Sequence, residues 1–125
     1  MGRVVHFEIT AEDVARAKKF YEVFDWDIND AAMPGMPSMR YLIASTGSKD
    51  EMGTDGAIMT RDFRPESTII WISVDNLDEM IEKVKTAGGK TAGEKQSVPG
   101  VGETIYVTDT EGNTIGLIQA LPRES

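Results

Sequence analysis

VVHFEITAEDVARAKKFYEVFDW, residues 4–26, is the stretch on which the reading of the fold turns. Its opening alternates at strand period, so Val5, Phe7 and Ile9 point one way while His6, Glu8 and Thr10 point the other. The second row is polar and carries the only histidine of the chain. The strand is expected to end at Thr10, three residues before Asp13 in a capping-box-like spacing. Helical period follows, with Val14, Ala17, Phe20, Tyr21 and Phe24 on one face. A strand therefore runs directly into an amphipathic helix.

Downstream, residues 26–32 (WDINDAA) suit a second strand. Two prolines and a glycine in MPGMPSM, residues 33–39, forbid regular pairing and mark a loop. Its methionines either cover a ligand as an adaptable lid or tuck onto the sheet or into a dimer contact. Residues 40–45 (RYLIAS) and 56–61 (GAIMTR) read as two further strands, joined by the polar TGSKDEMGTD, and DFRPE is a linker.

From Ser67 the plan restarts. TIIWISVD is a strand with Ile70, Ile72 and Val74 on one face and Ile69, Trp71 and Ser73 on the other. A helix follows, with Asn76 as its N-cap, Leu77, Met80, Ile81 and Val84 as the buried stripe, and Gly88 and Gly89 as its stop. Residues 90–98 suit a strand of edge-like pattern, PGVG turns the chain, ETIYVT and TIGLIQAL are strands around the DTEGN turn, and PRES is a frayed tail.

Shifted by 63 residues, the chain overlays on itself: Phe7 falls on Ile70, Ile9 on Ile72, Val14 on Leu77, Ala17 on Met80 and Tyr21 on Val84. Strand, helix and three strands occur twice. The expected fold is α+β, a single domain over 1–125 built of two βαβββ modules, residues 1–64 and 65–125, with curved mixed sheets around a cup and the helices outside. Such a concave face suits a small ligand.

Composition narrows the function. The 125 residues fit one domain, and a formal charge of -8 repels phosphate backbones and anionic membranes alike, which argues against nucleic acid and membrane partners. The chain has no cysteine, hence no disulfide, no thiolate nucleophile and no cysteine-bound metal. MGRVVHFEI lacks the apolar core of a signal peptide and no membrane-length apolar run occurs, so a cytoplasmic location is expected. No GxxxxGK[ST] loop and no nucleophile elbow is present.

Taken together, HFEITAED followed by KKFYEVFDW, then ISVDNLDEMIEKVKTAGGK, the VPGVGE turn and VTDTEGNTIGL, resemble the vicinal oxygen chelate superfamily. That superfamily groups glyoxalase I, bleomycin-resistance proteins and extradiol dioxygenases, and the chain is similar to its branch related to lactoylglutathione lyase. The resemblance implies paired βαβββ modules and a homodimer. It also implies a divalent ion held by His, Glu or Gln from the first and last strands of both modules. By position His6 matches the first of these ligands, but GAIMT offers no donor, the match to His6 in the second module is Ile69, and the glutamate of the family's GNxxE is Gly116. A catalytic ion needs about three protein ligands, so the cofactor stays unknown and no metal ligands are assigned.

His6 and Glu8 share a strand face. They are either an acid/base pair, or two ligands of an irregular site completed by a partner chain or by Asp55, Glu103 or Gln119, or a cup-lining histidine with its hydrogen-bond partner. Trp71, beside Ser73, is either a platform for a flat ligand or an aromatic plug, and Tyr41 and Tyr106 offer hydroxyls to a bound molecule. The expected function is glyoxalase-like binding of a small organic molecule without the full metal site. The alternative is a metal-dependent lyase or isomerase resembling lactoylglutathione lyase, using His6 with Glu8.

Overall fold

The computed structural model describes residues 2–31 and 38–122. Among them are nine β-strands, two α-helices and one short 3-10 turn. The chain divides into two compact units, His6–Ile69 on one side and Met1–Val5 with Ile70–Ser125 on the other. The α+β class and the twice-used βαβββ order are as the alternation patterns indicate.

The first unit runs through β1 (Val4–Ala11), α1 (Val14–Tyr21), the 3-10 turn Glu22–Phe24, β2 (Asp27–Asp30), β3 (Tyr41–Ser45) and β4 (Gly56–Thr60). Its strands lie in the order β2-β3-β4-β1, antiparallel except where β4 returns parallel to β1. Helix α1 covers one face. Val14 enters a core of Ala11, Ile28, Leu42, Ala44 and Ile58, with Ile9, Ala17, Tyr21 and Trp26 packed against it. Strand alternation then sends His6, Glu8 and Tyr41 to the opposite face.

Two local expectations fail here for identifiable reasons. The N-cap of α1 is Asp13, not Thr10, because β1 continues to Ala11 and the Asp13 carboxylate accepts the Arg16 N–H at 3.0 Å. The Thr10 hydroxyl donates instead to the carbonyl of Glu66. Phe20 and Phe24 do not join the buried stripe: they are 60% and 57% exposed. The helix proper ends at Tyr21 and the following 3-10 turn changes the period, so Tyr21, stacked on Trp26 at 5.1 Å, carries the core contact, while Phe20 packs edge-on against Tyr21 and Phe24 edge-on against Phe20. Most of the methionine loop lies outside the described residues. Its end, Ser38 and Met39, is held by hydrogen bonds to the Asp30 carboxylate.

The second unit takes in β5 (Thr68–Ser73) from Ile70 onward, α2 (Leu77–Thr86), β6 (Lys90–Thr91), β7 (Gln96–Val98), β8 (Gly102–Thr108) and β9 (Thr114–Ala120). Here β9 returns parallel to β5, β8 pairs with β9, and β6 and β7 both pair with β8. Helix α2 buries Leu77 completely among Val74, Ile105, Val107 and Leu117. Asn76 caps it by accepting the Glu79 N–H at 3.0 Å. The stop at Gly88 and Gly89 forms a Schellman motif: Gly88 N–H donates to Lys85 O at 3.1 Å and Gly89 N–H to Val84 O at 2.8 Å, with Gly88 at φ 100°.

Residues 90–98 are not one strand. Thr91 pairs with Val107 and Gln96 with Thr104, so five steps on one strand face three on the other and the surplus bulges out. The bulge brings Lys95 to within 3.0 Å of Asp78 on α2. No helix among the described residues is long and apolar enough to cross a membrane.

These packing differences predict opposite outcomes for two apolar truncations. Leu77→Ala should cost about 2–5 kcal/mol in urea unfolding, because the cavity is fully enclosed. Phe24→Ser should stay within about 0.5 kcal/mol, as an exposed ring contributes little.

Candidate functional site

In the first unit the face turned away from α1 carries a hydrogen-bonded chain of three side chains. Tyr41 Oη donates to Glu8 Oε2 at 3.0 Å, and His6 Nε2 lies 3.3 Å from the same phenol oxygen. Glu8 is only 3% exposed and His6 is half-buried. A buried carboxylate needs such donors, since leaving one unpaired costs several kcal/mol, about 1–3 or more. His6 and Glu8 are thus linked through Tyr41. The hydroxyl expected to face a ligand is engaged with protein groups.

Burial pushes the His6 imidazole below its ordinary pKa of 6.5, while the negative charges of Glu8 and Asp55 push more weakly the other way. The ring is accordingly neutral at pH 7. Asp55 is held by Thr46, whose N–H donates to its Oδ1 at 2.8 Å while the Thr46 hydroxyl, 3.2 Å from the same oxygen, lies closer to the Thr54 carbonyl at 2.7 Å.

In the second unit the corresponding face is organised by Trp71. Trp71 sits opposite Gly116 in the parallel β5–β9 ladder, and a Cβ at position 116 would overlap the indole ring. The indole therefore fills the space a side chain at 116 would need. Tyr106, also paired with Gly116, packs on the other side with its ring centroid 4.9 Å from that of Trp71. Trp71 is 8% exposed, and its Nε1 is buried with no hydrogen-bond partner among the described residues. Ser73 is half-buried next along β5, its N–H donating to Arg3 O at 2.9 Å.

Two residues weighed as additional ligands take structural posts instead. Glu103 lies 3.7 Å from Lys95, the same ammonium that meets Asp78 of α2. Gln119 turns its Oε1 to accept the Leu77 N–H at 2.7 Å, adding to the capping of α2. Glu103 shares the helix-facing row of β8 with Ile105, and Gln119 that of β9 with Leu117. The seat of Trp71 on Gly116 was missed by reading the sequence, although the period of β9 and the lone glycine within it were the signal.

Two βαβββ units, each with its first strand parallel to its last, define the paired-module α+β class. A sequence model described as the Glyoxalase/Bleomycin resistance protein/Dioxygenase superfamily matches residues 3–117, and the chain belongs to that superfamily. It is 34% identical over 116 residues to a glyoxylase-like domain-containing protein of Didymella fabae, covering 90% of each chain. In structure it is similar to a superfamily member from Vibrio splendidus, with a TM-score of 0.65 at 15% identity, covering 95% of this chain and 99% of that one. Homoprotocatechuate 2,3-dioxygenase from Arthrobacter globiformis gives a TM-score of 0.67 at 16% identity, with 98% of this chain lying on 37% of the enzyme.

The divalent ion that the resemblance implies does not fit the donors present. Position 116 would supply the carboxylate, yet it is a glycine under the Trp71 indole, so even a substituted donor there would collide with the ring. Position 69 is an isoleucine, 1% exposed. Among the described residues no three His, Cys, Asp or Glu side chains converge to hold a metal.

Gly116→Ala should force the indole aside and cost about 1–3 kcal/mol, with a shift in tryptophan emission. The His6 pKa shift has a sign that can be measured. Because the folded-state value lies below 6.5, the unfolded chain takes up the proton first as pH falls. This contribution to stability is complete above 6.5 and declines below it. Urea midpoints should therefore fall between neutral pH and the carboxylate range, and His6→Gln should flatten that slope.

Proposed function

We propose that this chain is a small-molecule-binding protein of the superfamily that works without the full divalent-ion site. The observation that carries this reading is the Trp71 indole, laid on Gly116 with its N–H buried and without a hydrogen-bond partner among the described residues. An unsatisfied buried donor costs about 1–3 kcal/mol, which a carbonyl or carboxylate oxygen on a bound molecule would recover. The ring face and the adjacent Tyr106 suit a planar or apolar body attached to that oxygen. In this reading Trp71, Ser73 and Tyr106 line the binding surface, while Tyr41 with His6 and Glu8 forms the polar group of the first unit. The cytoplasmic, homodimeric form implied by composition and resemblance is carried forward as part of the same proposal.

The test has two parts. Protein purified without chelator should contain far less than one divalent ion per chain by elemental analysis. A stoichiometric ion that disappears in His6→Ala overturns the metal-free reading in favour of a metal-dependent lyase or isomerase. A thermal-shift screen of small planar carbonyl and carboxylate compounds should yield stabilising hits, a hundredfold excess over Kd adding about 2.7 kcal/mol. For those hits Trp71→Phe, which keeps an aromatic ring but removes the N–H, should weaken binding about tenfold or more.

A further inference from the structure

The three-residue chain on the first unit fixes more than the position of His6. A phenol carries one proton, and that of Tyr41 goes to Glu8 Oε2 at 3.0 Å, since a carboxylate can only accept. Toward His6, 3.3 Å away, the phenol oxygen can then offer only a lone pair. The hydrogen of the neutral imidazole must therefore sit on Nε2. Its other nitrogen is left without a proton. The competing arrangement would place the hydrogen on Nδ1, drawn toward Asp55, the second negative group acting on the ring. Asp55, however, acts on the ring only through its charge: among the described residues no hydrogen bond joins the two, and its Oδ1 accepts the Thr46 N–H at 2.8 Å.

We infer that Tyr41 is a positioning residue that holds His6 in its Nε2–H form, so that Nδ1 is the acceptor and this face takes neutral molecules presenting a hydroxyl or an N–H. The inference deepens the binding reading above and rests on it for the existence of a ligand, but which nitrogen of the neutral ring carries the proton follows from the hydrogen-bond geometry. The two units, each taken by itself, then have opposite preferences: His6 in the first pairs with a donor, and the Trp71 N–H in the second with an acceptor.

The chain has a single histidine, so tag-free protein labelled with 15N in histidine shows one pair of ring nitrogens. In chelator-treated protein above neutral pH, Nε2 should resonate as a protonated nitrogen and Nδ1 as a bare one. Tyr41→Phe, confirmed as folded by its melting transition, should lose this preference and give a mixture. Phenol titrated into the wild type should move the Nδ1 resonance saturably, and anisole, which keeps the ring but lacks the donor, should bind at least about tenfold more weakly. A proton found on Nδ1 overturns the inference, as does a folded Tyr41→Phe protein with an unchanged imidazole, or equal responses to phenol and anisole. The wild-type spectrum needs no variant to fold. Failure of the imidazole assignment leaves the metal analysis untouched, and a stoichiometric ion in unstripped protein would overturn the binding reading without altering the spectrum of stripped protein.

Discussion

The return of the last strand of each unit parallel to its first is the constraint from which the rest follows. In the first unit it sets Glu8 opposite Ala57, and in the second it sets Trp71 opposite Gly116. The two pairs occupy the same place in the repeated pattern, since Glu8 and Trp71 are 63 residues apart, the offset that overlays Phe7 on Ile70. In each case a large or charged side chain lies across from a small one. At Gly116 the need is plain, since a side chain there would overlap the Trp71 ring. Because strand side chains alternate, the same pairing commits Ile9 and Ala11 to α1 and leaves His6 and Glu8 on the far face.

Small cross-strand partners have a chemical consequence. Where a donor at position 116 would reach toward an ion, the chain places a glycine and lets Trp71 descend onto it. What the second unit gains is a buried indole packed against Tyr106, its N–H without a hydrogen-bond partner among the described residues. The first unit keeps polar chemistry, but as a hydrogen-bonded row: Glu8 is buried because Tyr41 satisfies it, and Tyr41 in turn meets His6. Burial keeps the imidazole neutral against the pull of Glu8 and Asp55. The histidine is thereby suited to hydrogen bonding at pH 7 and not to standing as a permanent cation.

Several features were legible because they depend only on local period and cap chemistry. The strand into α1, the Asn76 cap, the Leu77 stripe and the Gly88–Gly89 stop all stand in the structure where the pattern puts them. Features that depend on what a residue meets across the sheet were read less well. Thr10 has the chemistry of a cap, yet the nearby Glu66 carbonyl claims its hydroxyl and Asp13 takes the post. Phe24 continues the helical period of α1 on paper, but a change to 3-10 winding turns it outward. Gln119 and Glu103 look like donors in a strand, and only their pairing row shows that they serve α2 and Lys95.

By itself the sequence determined the two βαβββ units, the rows of each first strand and the shortage of metal-binding side chains at the expected positions, because alternation, capping and residue identity are local properties. The tertiary structure alone decided that Tyr41 joins His6 to Glu8 and that Trp71 occupies the room above Gly116. Those outcomes depend on the register between strands distant in the chain, where a shift of one residue would exchange every inward side chain for an outward one.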